Sequence, residues 1–170
     1  MKGIFMLALA ALVGAGCGTF GAPAAAAGQI LTTHRIPAAL ALEAVGEAVA
    51  ACAKQGYAET AVLVDADGVR QALLRGDGTG VHSLDSAYSK AYTSATLKAD
   101  TMAVIERAKT DPIIINIISK MPNMLLDGGG VVIKINGEMV GAIAASGSPK
   151  GEVDEACARA GLEKILGRLQ

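Results

Sequence analysis

Asn136-Gly137 stands between two apolar runs, Val131-Val132-Ile133-Lys134-Ile135 and Glu138-Met139-Val140-Gly141-Ala142-Ile143. Asparagine followed by glycine accepts positive φ at both centres of a type I′ turn, whose twist matches that of two antiparallel strands. The segment is therefore predicted to be a hairpin. A second hairpin is predicted upstream, where Asp65-Ala66-Asp67-Gly68 separates Ala61-Val62-Leu63-Val64 from Val69-Arg70-Gln71-Ala72-Leu73-Leu74. Connections this short have no room for a crossover helix, so the strands each one joins must run antiparallel.

The flanking segments carry helical periodicity instead. Pro37 opens a stretch in which Ala41, Val45, Ala48, Val49 and Cys52 recur every three or four residues, and Gly56 follows as a stop. Ser83 is a candidate N-cap for a helix whose face is Leu84, Ala87, Tyr88, Ala91, Tyr92 and Ala95. Residues Thr101 to Lys109 read as another helix. Asp111-Pro112 would cap and start a short one through Ile118, although β-branched Ile113-Ile114-Ile115 suits a strand equally. Val153, Cys157, Gly161 and Ile165 repeat every four residues in a terminal helix that Gly167 closes. With an edge strand predicted around Ile30–Ile36, the order is β-α-β-β-α-α-β-β-α. That order specifies one α+β domain in which helices cover an antiparallel sheet.

The first 27 residues belong to a different class. Lys2 precedes the apolar run Ile4 to Val13, and small residues then lead to Ala25-Ala26-Ala27. A run of this length is about half of what a membrane-spanning helix needs. The pattern is that of a secretory signal peptide over residues 1–27, with the domain occupying 28–170 and the chain exported to the periplasm or beyond the cell. A lipoprotein anchored at Cys17 is the alternative, and Gly14 stands where such signals usually carry Leu. Fifteen Lys+Arg against sixteen Asp+Glu, with three Tyr, two Phe and no Trp, leave neither the basic excess nor the aromatic platforms that nucleic acid requires. A small apolar ligand fits the composition better.

Few residues offer chemistry. Gly76-Asp77-Gly78-Thr79-Gly80 lies between strand and helix, where amides at Gly78 and Gly80 could meet an anion, but Val81 breaks the dinucleotide fingerprint and the preceding strand belongs to a hairpin. A plain strand-to-helix connection accounts for the loop equally. Asp65-x-Asp67-Gly68 reads as turn chemistry, lacking the later ligands of a calcium loop. Gly128-Gly129-Gly130 permits positive φ before the hairpin, or lets a ligand approach the backbone closely. Cys52 and Cys157 lie on the apolar faces of the first and last helices, as a disulfide or as two buried thiols, too far apart in sequence for a CxxC pair. No Ser/His/Asp or Cys/His arrangement follows from spacing. His34 sits in the polar run Thr32-Thr33-His34-Arg35, whereas His82 sits at a helix entry beside the glycine turn, where an imidazole could reach a bound iron while Lys90 meets an acidic group.

Taken in order, Val64-Asp65-x-x-Gly68, Gly80-Val81-His82-Ser83-Leu84-Asp85-Ser86, Lys90-Ala91-Tyr92-Thr93-Ser94-Ala95, Gly128-Gly129-Gly130, Gly137-x-x-Val140-Gly141-Ala142-Ile143, Ser146-Gly147 and Asp154-Glu155-Ala156-Cys157-Ala158 resemble the GlcG/HbpS-like haem-binding family, also labelled haem-degrading. The likeness runs from about Ile36 to Leu166, and the chain departs from the family pattern at Gly76, Val132 and Ala144. The resemblance implies a profilin-like fold with a five-stranded antiparallel sheet flanked by helices. It implies homo-oligomers, and haem or a related tetrapyrrole held noncovalently for storage, delivery or sensing, with a sensor or transport protein as a possible further partner. Haem degradation or peroxide consumption, and a non-haem small-ligand or assembly module, are the alternatives. On this reading His82 is the axial ligand candidate, with His34 as the fallback, and Tyr88, Lys90, Tyr92, Gly78 and Gly80 are pocket candidates. In the implied fold the first and last helices lie side by side, which favours a Cys52–Cys157 bridge.

Overall fold

The computed structural model of the chain describes residues 32–169. The expected signal peptide, the Ala25–Ala27 cleavage site, Cys17 and the first two residues of the expected edge strand lie outside the described residues. The elements run α1 (Ala38–Ala53), β1 (Thr60–Asp65), β2 (Arg70–Arg75), α2 (Ser83–Leu97), α3 (Thr101–Thr110), α4 (Pro112–Ile118), β3 (Gly130–Ile135), β4 (Glu138–Ser146) and α5 (Gly151–Leu166).

Both hairpins form where the turn chemistry places them. Asn136 and Gly137 take φ of 51° and 84°, as a type I′ turn demands. All four strands pair antiparallel in the order β2-β1-β4-β3, so the two hairpins meet through β1 and β4.

The sheet therefore has four strands among the described residues, and the fifth is not seen. Residues 32–36 form no strand. Their run Thr32-Thr33-His34-Arg35 lacks the alternation that would bury one face, and Pro37 has no N–H to give a ladder. Side chains hold the segment instead. Arg35 reaches Asp65 at 3.0 Å and Asp67 at 3.4 Å, the Gln71 amide donates to the Ile36 carbonyl, and the Ile36 side chain is buried.

Strand alternation sorts the apolar residues into two cores. Ala61, Leu63, Ile133, Ile143 and Ala145 meet Ala44, Val45, Ala48 and Cys52 of α1 and Cys157, Ala158 and Ile165 of α5. Val62, Val64, Ala142 and Ala144 meet Ala87, Ala91 and Ala95 of α2 on the opposite face. The result is three layers: α1 with α5, the sheet, and α2.

Cys52 and Cys157, both fully buried, are joined by a disulfide with Cα atoms 5.5 Å apart. Farther along the same helix pair, Gly161 is pressed against the Ala44 carbonyl and the Ala48 methyl, so a Cβ there would overlap the α1 backbone. Gly161→Ala is accordingly expected to force the helices apart and lower stability by about 1–3 kcal/mol, read from the denaturant midpoint. An unchanged midpoint would contradict the close approach.

The ambiguous isoleucine run is helical, because Asp111 accepts from the Ile113 N–H at 3.2 Å and Pro112 occupies the first turn. Two end signals act differently from expectation. Ser83 is inside α2 rather than its cap, its hydroxyl committed to Thr60 Oγ1 and the Gly80 carbonyl, both at 2.6 Å. Gly167 ends α5 with φ of −67°, whereas Gly56 closes the turn after α1 in the left-handed region at φ 84°.

Candidate functional site

The glycine loop before α2 is closed by its own hydrogen bonds. The Gly76 N–H donates to the Glu59 carbonyl at 2.8 Å, and Thr79 Oγ1 donates to the Gly76 carbonyl at 2.8 Å and to that of Glu59 at 3.1 Å. Arg75 Nε donates to the Thr79 carbonyl at 2.8 Å. Gly78, at φ 76°, and Gly80 are exposed. His82 stands at the cap position of α2 without a side-chain capping bond, and its ring folds back over Gly80, where a Cβ would lie 2.7 Å from the imidazole.

Farther along α2, the tyrosines pack against the first hairpin. The Arg70 guanidinium lies 3.5 Å from the Tyr88 ring centroid, a cation–π contact, and Tyr92 stands 5.8 Å from Tyr88 with its ring over Gly68. Lys90 is committed elsewhere. It is 1% exposed, and its Nζ lies 2.7 Å from both Asp154 Oδ2 and Asp127 Oδ2.

The Lys90–Asp154 pair joins the α2 layer to the α5 layer past the end of the sheet. Gly128-Gly129-Gly130 makes the passage: a Cβ on Gly129 would lie 2.6 Å from the Ala145 carbonyl, 2.8 Å from Asp154 Cβ and 3.1 Å from Lys90 Cδ. Gly129 also sits at φ 123°, the positive φ that the glycine run was expected to permit, and the groups closest to it are the protein's own Ala145, Asp154 and Lys90. Asp154 further accepts from the Ser148 N–H at 3.1 Å and the Ser148 hydroxyl at 2.5 Å. Beside it, Glu59 is fully buried with neither carboxylate oxygen partnered. Burial, reinforced by the neighbouring Asp154 charge, pushes its carboxyl up to about 8.

His34 is placed differently. It lines a surface cavity of about 360 Å³ whose walls include Ile36, Pro37, Ile135, Val140 and Leu169, with Arg35 and Arg168 at its margin. Its Nδ1 lies 2.8 Å from Glu138 Oε2, and its side chain remains 70% exposed. Arg168 is forked onto Glu43, at 3.1 and 2.5 Å. Three stretches of chain build this cavity: the segment before α1, the β3–β4 turn and the residues after α5.

Of the residues singled out in the sequence, then, Gly78, Gly80 and His82 share the loop before α2. Tyr88 and Tyr92 share the hairpin contact, Lys90 is internal, and His34 alone stands in the cavity. Glu138, Arg35 and Arg168 were not singled out. Glu138 lies immediately after the Asn-Gly turn, but nothing local marks it as the neighbour of a histidine 104 positions earlier.

A family model described as haem degrading protein HbpS-like matches residues 36–163. The chain belongs to the HbpS-like haem degrading family. HbpS superposes with a TM-score of 0.75 at 32% identity, over 84% of this chain and 98% of that one. A double mutant of HbpS from Streptomyces reticuli gives 0.75 at 33%, over 85% and 97%. PduOC in complex with haem gives 0.71 at 20% identity, over 78% and 96%, a likeness of fold. No curated protein matches the chain. Family membership agrees with the two-hairpin sheet and with the helix layers on its two faces.

Proposed function

We propose that the chain is an exported protein that binds haem noncovalently for storage, delivery or sensing, and that the cavity at His34 takes the ligand. Noncovalent haem needs an apolar slot for the ring, a donor for the iron and cations for the propionates. The cavity combines the three: Ile36, Pro37, Ile135, Val140 and Leu169 as walls, the His34 imidazole as donor, and Arg35 and Arg168, which would exchange their Asp65 and Glu43 partners for the propionates. That coincidence is the observation that carries the reading. Among the described residues no group of three or more His, Cys, Asp or Glu side chains could hold a bare metal ion, whereas a porphyrin brings its own nitrogens and asks for one protein donor.

Iron bound in this way would have an imidazole ligand on an exposed face. A haem complex of PduOC, which shares the fold, supports a tetrapyrrole as the ligand class. The Cys52–Cys157 disulfide supports export, because such bridges persist in oxidising compartments. Exposed Ile113, Ile115, Ile117 and Met121 around α4 support self-association as the oligomer expected of the family.

The test is haemin titration of wild type, His34→Ala and His82→Ala, followed in the Soret region. His34→Ala is expected to weaken binding roughly tenfold or more and to shift the band, with His82→Ala unchanged. Loss in His82→Ala with His34→Ala unchanged would return the axial role to the helix entry. Failure of wild type to bind haemin would end the haem reading.

A further inference from the structure

We propose that Glu138 is a positioning residue that sets the tautomer of His34, placing the proton on Nδ1 and leaving the Nε2 lone pair as the donor. The inference rests on the haem reading for its purpose and on the ligand-free geometry for its substance.

A neutral imidazole carries one N–H and one lone pair, and a carboxylate only accepts. In the neutral form, Nδ1 at 2.8 Å from Glu138 Oε2 can only donate to it, so the geometry points to the tautomer with N–H on Nδ1. Nε2 has no partner among the described residues. A histidine side chain without such a neighbour favours the opposite tautomer, with Nε2–H, which would leave no lone pair on that nitrogen.

Both partners are held by structure on either side of the contact. Glu138 opens β4, paired with Ile135 of β3 across the Asn136-Gly137 turn, so strand register fixes its backbone. Val140, two residues on and on the same face of the strand, is buried and lines the same cavity. On the other side, buried Ile36 and the Gln71 bond to its carbonyl tie down the segment carrying His34, and Arg35 is anchored on Asp65. The bond thus joins two solvent-exposed side chains whose backbones are anchored on both sides.

A carboxylate behind a ligating imidazole orients the ring and makes its free nitrogen a stronger donor. Toward a haem iron, that donor strength favours the ferric form over the ferrous form. The charge, and not the hydrogen bond alone, is what Glu138 supplies.

Two measurements decide the matter. Long-range proton–nitrogen correlation spectra of the protein without haemin distinguish the two neutral tautomers from the imidazolium and read the tautomer directly. Wild type is expected to show Nδ1–H for His34, and Glu138→Ala to move toward Nε2–H. An Nε2–H wild type, or a tautomer unaffected in Glu138→Ala, would overturn the proposal whether or not haem binds. With haemin, Glu138→Ala is expected to lose roughly 10–100-fold in affinity. Glu138→Gln, which can still accept the Nδ1–H, is expected to retain the Soret position while its reduction midpoint moves positive. An unchanged midpoint in Glu138→Gln would remove the role assigned to the charge. Wild type that shows the Nδ1–H tautomer but takes up no haemin would sink the haem reading while leaving the positioning by Glu138 intact.

Discussion

Replacing Cys52 and Cys157 together by alanine is expected to lower stability by about 4–5 kcal/mol. The bridge closes a loop with a sequence separation of 105, and in the chain-entropy account a loop of that length removes more freedom from the unfolded chain than a short one. Both sulfurs lie in the core between α1 and α5, so the substitution also leaves small voids, which adds to the loss. A domain of this size has a total stability of about 5–15 kcal/mol, so the variant should be marginal at ambient temperature. Urea unfolding of the non-reduced protein against the variant measures the difference. Thiol labelling after unfolding the non-reduced wild type should find almost no reactive sulfur at Cys52 and Cys157, and two free thiols there would refute the bridge.

The second large effect is a loss of stability with rising pH, and its source is Glu59. Burial and the adjacent Asp154 charge raise its carboxyl from 4.5 to about 8 in the folded chain. The folded state therefore holds a proton that the unfolded state has released, and between the two values each unit of pH favours unfolding. The contribution is fully present below the unfolded pKa and is lost as pH rises through the folded one. From about pH 5 to pH 9 the loss from this group is on the order of 4 kcal/mol.

The geometry supports the direction. The Ser148 N–H and the Lys90 charge only partly offset the burial of an ionised Glu59, while a protonated Glu59 can donate to Asp154, whose own charge is held by Lys90 and Ser148. Glu59→Gln retains a donor toward Asp154 and cannot ionise. It should be nearly as stable as wild type at about pH 5 and should flatten the fall toward about pH 9. A wild-type profile that stays level over that range, or one that falls just as steeply in Glu59→Gln, would assign the proton elsewhere.

Much of the fold was legible because its signals are local. An Asn-Gly pair between apolar runs fixes a hairpin through the φ preferences of two residues, and those preferences act wherever the pair occurs. Spacings of three and four mark α1, α2 and α5 for the same reason: the periodicity is a property of the segment itself. The short helix at Pro112 was legible only as a balance, since Asp111 and Pro112 argue for a helix start and three isoleucines for a strand. The edge strand expected around Ile30–Ile36 does not form over residues 32–36, whose polar run has no alternation to bury one face. Ile36 is buried, and residues 34–36 are held through Glu138, Asp65 and Gln71.

The candidate site was less legible. His82 drew notice because glycine, imidazole and tyrosines lie close along the chain. In the fold, the loop bonds to itself, the tyrosines turn to the hairpin, and Lys90 runs inward to Asp154, 64 residues away. The sequence offers Lys90 to an acidic group of a ligand, whereas Gly129 opens a passage that takes it to an acidic group of the protein. His34, in a polar stretch with no local neighbourhood, acquires one from Glu138 and Arg168, each more than a hundred residues distant.

By itself, then, the sequence determined the two hairpins, the helices with clear periodicity and the family, because turn preferences, helical periodicity and ordered motifs are carried by contiguous residues. The tertiary structure decided which histidine has apolar walls and arginines around it, which lysine is buried, and which carboxyl is buried beside another. Those properties depend on desolvation and on charges brought together from distant positions, and neither has a value until the layers have closed.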